Sequence, residues 1–274
     1  MTFLQSIILG IIQGLTEFLP VSSSAHLVLF PYWLSWNIPA TDAFIFNVLV
    51  QLGTLLAVII YFWHDLLGII KSMVSGVIHQ QLFKDPDARL GWLVVLATIP
   101  AGIAGLFLKD TVEAAFSSPV ATALLLLLTA LMLILSEKVS KSIRRSPTPG
   151  PKDAIIIGLF QALSIFPGVS RSGSTITGGL LRGMDRSAAA RFSFLMSIPI
   201  MSAAGVVALL DMATIPNLLT FLPVMTAGFI AAVVVGLLSI KWLMAYIRSH
   251  SFMVFAIYCF LVSIFTLVLS ISHG

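Results

Sequence analysis

Six stretches of this sequence carry no charged side chain: Phe44 to Trp63, Gly91 to Leu108, Pro119 to Ser136, Phe192 to Leu210, Leu218 to Ile240 and Ser251 to Ser272. Each is close to the ~20 residues that take a helix across the hydrocarbon core of a bilayer. Soluble chains have about a quarter of their residues charged. Here 9% are charged and 58% are hydrophobic, more apolar surface than one water-solvated core can enclose. The six stretches are therefore read as spanning helices of an all-α integral membrane protein, and the 274 residues as a single membrane domain. A net charge of +4 does not point to nucleic acid in such a chain, because cytoplasmic loops collect Lys and Arg. The lone cysteine, Cys259, has no partner for an intrachain disulfide.

Two further apolar stretches, Thr2 to Leu19 and Ala154 to Phe166, are different. The first runs into Pro20-Val21-Ser22-Ser23-Ser24 and the second into Pro167-Gly168-Val169-Ser170-Arg171-Ser172-Gly173, after which each resumes as a short apolar piece. Broken backbone at membrane depth is tolerated only where protein or a wet cavity satisfies its amides, so both are read as re-entrant helical hairpins. The alternative is two ordinary spans with surface loops. Charge placement separates the two. With non-crossing hairpins, thirteen of the fifteen basic residues fall in cytoplasmic loops: Lys71, Lys84, Arg89, Lys138, Lys141, Arg144, Arg145, Lys152, Arg182, Arg186, Arg191, Lys241 and Arg248. Lys109 lies on the other face and Arg171 within a break, as the positive-inside rule allows. Counting each hairpin as a crossing splits the basic loops between faces.

The chain also resembles itself. A shift of 148 residues aligns Gln13–Ala25 with Gln161–Gly173 and makes Gln13/Gln161, Leu15/Leu163, Phe18/Phe166, Val21/Val169, Ser22/Ser170 and Ser24/Ser172 identical. The same shift matches Gly10 with Gly158 and Phe44 with Phe192. Three spans separate the hairpins, so the halves, about 1–145 and 152–274 with a linker of about 137–153, are expected to be inverted-topology repeats whose hairpin tips meet near the midplane. Such repeats are common in transporters, which keeps transport of an anion open as a function.

On this arrangement the ionisable residues at hydrocarbon depth are Glu17, His26 and Arg171. A charge there costs at least ~2.5 kcal/mol on insertion scales and so marks function by default. Around them lie Ser22, Ser23, Ser24, Ser170, Ser172, Ser174 and Thr175, with Gly168 and Gly173. Arginine, clustered hydroxyls and backbone amides at helix starts suit a phosphate. Glu17 would repel that anion unless it holds a divalent metal or orients His26. Gln13, four residues earlier on the same helical face, points at the same ion. A structural Glu–Arg lock and a capping role for His26 are the plain alternatives. His64, His79, His250 and His273 fall in loops or at the terminus, and no Cys/His metal cluster, Gly-Lys phosphate loop or dinucleotide fingerprint is present.

The run Gln13-Gly14-Leu15-Thr16-Glu17-Phe18-Leu19-Pro20-Val21-Ser22-Ser23-Ser24-Ala25-His26 resembles the first signature of bacterial undecaprenyl-diphosphate phosphatases, the BacA/UppP type linked to bacitracin resistance. Pro167-Gly168-Val169-Ser170-Arg171-Ser172-Gly173-Ser174-Thr175 is similar to the second, and Phe46 to Gly53 and Phe192 to Leu195 also look familial. The resemblance implies removal of the terminal phosphate of a polyprenyl diphosphate lipid, recycling the carrier for cell-wall synthesis. It implies a divalent cation, magnesium or calcium, a homodimer, and a pocket facing the periplasmic or outer side of the bacterial cytoplasmic membrane. It also implies functional roles for Glu17, Ser22, Ser23, His26 and Arg171. The first acidic position of the motif is Gln13 here, which leaves Glu17 as the one carboxylate for a metal. The expected mechanism has Arg171 and the second-break amides, with Ser170, Ser172, Gly168, Gly173, Ser24 and Thr175, clamping the diphosphate. Ser23, or else Ser22, attacks the terminal phosphorus with His26 as general base or acid; His26 itself or water is the other nucleophile.

Overall fold

The computed structural model describes residues 1–140, 148–212 and 218–272 and is helical throughout, with no strand among the described residues. Six of its helices are long and apolar enough to cross a membrane: α3 (Ala40–Tyr61), α5 (Pro86–Phe107), α7 (Pro119–Ser140), α10 (Arg186–Met212), α11 (Leu218–Tyr246) and α12 (Met253–Ser272). They coincide with the six charge-free stretches but overrun them at several ends, because a helix continues into the polar boundary wherever capping permits. Lys141, Arg144, Arg145 and His273, with the centre of the expected linker, lie outside the described residues.

The two broken segments form helix–break–helix units. α1 (Phe3–Phe18) is followed by α2 (Ser23–Trp33), and α8 (Pro151–Leu163) by α9 (Arg171–Leu181). The cytoplasmic loop expected to carry Lys71, Lys84 and Arg89, between the stretches ending at Trp63 and beginning at Gly91, needs correction, since most of it is helix α4 (Trp63–Ile78), and α5 begins five residues earlier than its apolar stretch, at Pro86. The start signal is local. Asp85 caps α5 by accepting from the Ala88 amide at 3.2 Å and the Asp87 amide at 2.8 Å, contacts that hold its carboxyl below the usual carboxylate range, and Pro86 occupies the first turn. A short helix, α6 (Lys109–Phe116), was also not anticipated.

Packing exchanges elements between the halves. α1 lies against α11 and α3, whereas α8 lies against α5; α12 packs on α7, α10 on α3, and α9 on both α7 and α10. In a bilayer, helix association rests on close approach rather than on expulsion of water. Gly10 of α1 has no room for a Cβ against the Gly228 backbone of α11, and Gly158 of α8 has none against the Ala97 carbonyl of α5. The pair that matches at a shift of 148 residues thus performs one packing task in each half. The Ser6 hydroxyl fixes the α1–α11 crossing by donating to the Val224 carbonyl at 2.7 Å and accepting from the Gly228 amide at 3.1 Å. Replacing Gly10 with Val is expected to push these helices apart and to cost about 1–3 kcal/mol, read as a lower unfolding temperature of the purified protein in detergent. An unchanged temperature would show that the crossing has slack.

Ion pairs hold the ends of the bundle. Buried Glu137 on α7 accepts from Arg186 on α10 at 2.6 and 2.9 Å and from the Phe252 amide at 2.9 Å. Arg191 reaches Asp65 on α4 at 2.9 Å, and Arg182 reaches Asp153 at 2.7 Å. Near the centre, Phe18 meets Phe194 edge-on, with ring centroids 5.5 Å apart and planes at 87°, which fixes the end of α1 against α10. That contact sets the position of the adjacent Glu17.

Candidate active site

Both breaks end in the same local device. Ser22 caps α2, its hydroxyl accepting from the Ala25 amide at 3.3 Å, and Ser170 caps α9 by accepting from the Gly173 amide at 3.0 Å. In each break the capping hydroxyl lies 3.2 Å from the hydroxyl two residues on, Ser24 or Ser172. Ser23 and Arg171 consequently occupy the same position, the first residue of a helix. Ser22, Ser24 and Ser170, with Ser23 and Arg171, line one cavity of about 280 Å³, so the positive ends of two helix dipoles border the same space.

Glu17 is the hub of this cavity. Its side chain, in the last turn of α1, is 8% exposed. Oε1 accepts from Arg171 Nη2 at 2.7 Å, and Oε2 accepts from the Ser23 hydroxyl at 2.5 Å and from Gln13 Nε2 at 3.0 Å. Gln13 also donates to the Thr54 hydroxyl at 3.3 Å, which anchors the amide to α3. Arg171 is held by a second contact, Nη1 to the Ser193 carbonyl at 3.4 Å. Residues 154 positions apart thus form a buried ion pair with a hydroxyl drawn onto the same carboxylate. A smaller lobe of about 110 Å³ continues past Glu17 and Ser23 toward Gln13, Asn47 and Gln51.

His26 does not join this group. Its Nδ1 lies 2.7 Å from the Ser22 carbonyl, which can only accept, so Nδ1 carries a hydrogen; Nε2 lies 2.7 Å from the Tyr258 hydroxyl on α12. Both ring nitrogens are engaged, the residue is absent from the cavity lining, and the partner of the Ser23 hydroxyl is Glu17. The structure thus brings Ser23 to Glu17 and does not bring it to His26. What His26 holds is the carbonyl of Ser22, a non-glycine residue with φ of 69°.

Four of the expected phosphate ligands also face elsewhere. Ser172 donates to the Leu19 carbonyl at 3.1 Å, and Thr175 meets the Ser193 hydroxyl at 2.6 Å. Gly168, at φ of 105°, presses on the Thr122 backbone of α7 and accepts from the Thr129 hydroxyl at 2.9 Å; Gly173 sits beside Ser170 and Thr129. These residues shape the second break, while Ser22, Ser23, Ser24, Ser170 and Arg171 line the cavity. The sequence reading missed Tyr258, Ser164 and the cavity-facing role of Gln161. The signal for Gln161 is its match with Gln13 in the internal repeat.

Residues 6–265 match the sequence model of a family described as bacitracin resistance protein BacA. The chain belongs to the BacA family. It is 40% identical to a protein of Methanosphaera stadtmanae over 98% of both chains, and 44% identical to one of Moorella thermoacetica over 94% of both. A third relative, from Chloroherpeton thalassium, is 42% identical over 98% of this chain and 97% of its own. All three are named undecaprenyl-diphosphatase.

The BacA resemblance raised a divalent cation, and the donor set answers in part. Among the described residues no three His, Cys, Asp or Glu side chains converge. Among the described residues Glu17 is the one carboxylate lining the cavity, and both its oxygens already accept hydrogen bonds. Calcium takes six to eight oxygens, of which Glu17 would supply only a part. Magnesium, which keeps waters and binds through one carboxylate and substrate phosphates, fits only as a companion of the diphosphate.

Proposed function

We propose that this chain hydrolyses undecaprenyl diphosphate to undecaprenyl phosphate and inorganic phosphate, returning the lipid carrier to cell-wall synthesis. The observation that carries the reading is the contact of one carboxylate with both a hydroxyl, at 2.5 Å, and a guanidinium, at 2.7 Å, on the wall of a cavity between two helix starts. Binding or transport of an anion needs the guanidinium and the helix ends. It has no need of a serine hydroxyl hydrogen-bonded to a base, which is what phosphoryl transfer requires. A cavity of about 280 Å³ suits a diphosphate and leaves the prenyl chain in the membrane.

In this reading Ser23 Oγ attacks the terminal phosphorus and gives its proton to Glu17. The bond from phosphorus to the bridging oxygen breaks, and its electrons leave on the lipid monophosphate. Water then displaces Oγ from phosphorus, releasing inorganic phosphate and restoring the serine. Arg171 and the two helix ends offset the charge on the transferring oxygens. Magnesium carried in with the diphosphate would share that task beside Glu17. His26 is a positioning residue, acting through the Ser22 carbonyl.

The same reading makes the two helix–break–helix units re-entrant hairpins in inverted repeats, with the cavity opening to the outer face of the bacterial cytoplasmic membrane. The exchanged packing of α1 on α11 and α8 on α5, the matched capping serines and the matched glycines support two-fold related halves. Whether two copies pair as a homodimer is read by the mass of the protein–detergent complex. The direct test is phosphate release from undecaprenyl or farnesyl diphosphate by the purified protein in detergent, with and without a chelator. Phosphate in step with lipid monophosphate is expected, reduced by the chelator. No release above a Ser23→Ala control would overturn the assignment.

A further inference from the structure

Gln161, near the end of α8, is 1% exposed, lines the cavity, and has no hydrogen-bond partner at either Oε1 or Nε2. A primary amide buried with both ends unsatisfied is disfavoured in a finished core and calls for a ligand. Its repeat counterpart shows how the vacancy arises. Gln13 donates to Glu17, four residues on, whereas four residues after Gln161 stands Ile165, which has nothing to accept with. Ser164 keeps its own hydroxyl bonded to the Gln161 carbonyl at 2.7 Å, so the backbone there is served and only the amide head waits.

We infer that the Gln161 amide is the subsite for the lipid-linked phosphate of a prenyl diphosphate, a proposal that rests on the hydrolytic reading above and extends it to the leaving group. One argument from the mechanism and one observation assign that phosphate, and not the terminal one, to Gln161. In the hydrolytic reading the terminal phosphate belongs with Ser23, Glu17 and Arg171, and in-line displacement puts the departing oxygen away from the attacking hydroxyl, which leaves Gln161, on another element of the same cavity wall, for the second phosphate. Part of the apolar lining is also there: Ile165 follows α8, Ala101 comes from α5, which packs on α8, and Ile200 comes from α10, which packs on α5. The first isoprene units leave along these side chains. An uncharged amide donates to the phosphate without holding the product as tightly as a second cation would.

The test is binding, measured as displacement of a fluorescent ligand or as thermal shift, of a methylene-bridged farnesyl diphosphate analogue and of inorganic phosphate. Gln161→Met, which keeps the length and unbranched shape, is expected to weaken the analogue by about tenfold to a hundredfold. It should leave inorganic phosphate within about twofold and the unliganded protein at least as heat-stable as the parent. Unchanged affinity for the analogue overturns the subsite, and so does an equal loss for both ligands. Should Gln161→Met fold poorly, Gln161→Asn withdraws the amide by one methylene and faces the same two criteria. If the parent binds the analogue through Gln161 yet releases no phosphate from farnesyl diphosphate, the hydrolytic reading falls while the subsite stands.

Discussion

Alanine at position 23 is expected to lower phosphate release on the order of a thousandfold or more while leaving the fold intact. The Ser23 hydroxyl makes one described contact, to Glu17, and Glu17 keeps both Arg171 and Gln13 when it is lost. Stability therefore changes little, and the defect appears in kcat. A nucleophile is the group whose loss cannot be made up by tighter binding, and among the described residues no other hydroxyl lies against the base. Steady-state phosphate release from farnesyl diphosphate, with a melting curve on the same sample, checks both halves of the expectation. Activity within about tenfold of the parent would remove Ser23 from the chemical step and leave a water on Glu17 in its place.

The second large effect is at Arg171. Lysine there keeps one positive charge beside Glu17 but cannot reach the carboxylate with one edge and the Ser193 carbonyl with another, as the guanidinium does at 2.7 and 3.4 Å. A loss of about a hundredfold in kcat/KM is expected, comparable to removing one donor from a site of developing negative charge. Alanine is the poorer test. It strands a buried carboxylate, and breaking a buried pair in this way costs about 3–5 kcal/mol, so lost activity would mix with lost fold. Parent-like turnover by the lysine variant would mean that the ion pair serves architecture and not the transferring phosphate.

Much of this was legible because charge at membrane depth is so unfavourable that Glu17, His26 and Arg171 stand out from the apolar background. The self-alignment then brought the first and the last of them together across 154 residues. What spacing did not reveal is direction. His26 lies three residues after Ser23 on a helix that starts there, and nothing local says whether its ring faces the cavity or α12. Tyr258, 232 residues away, receives it. Helix α4 was hidden for another reason, since its sequence mixes Asp65, Lys71, Ser72 and Ser75 with apolar residues and so reads as loop beside charge-free spans. Ser172, Gly173 and Thr175 were drawn into the site by proximity to Arg171, although a helix carries successive residues around its axis and shows only some of them to any one neighbour.

The packing of α1 on α11 has a bearing on biosynthesis. The carboxylate on which the proposed chemistry turns sits at the end of α1, yet α11, the helix on which α1 chiefly packs, is synthesised long after it. Until that partner enters the bilayer, the glycine face of the early helix has only lipid to meet, and Glu17 has no finished wall around it. Nascent chains stopped before position 218 should therefore be inert and open to quality-control proteases, and supplying the missing C-terminal piece as a separate polypeptide should restore them.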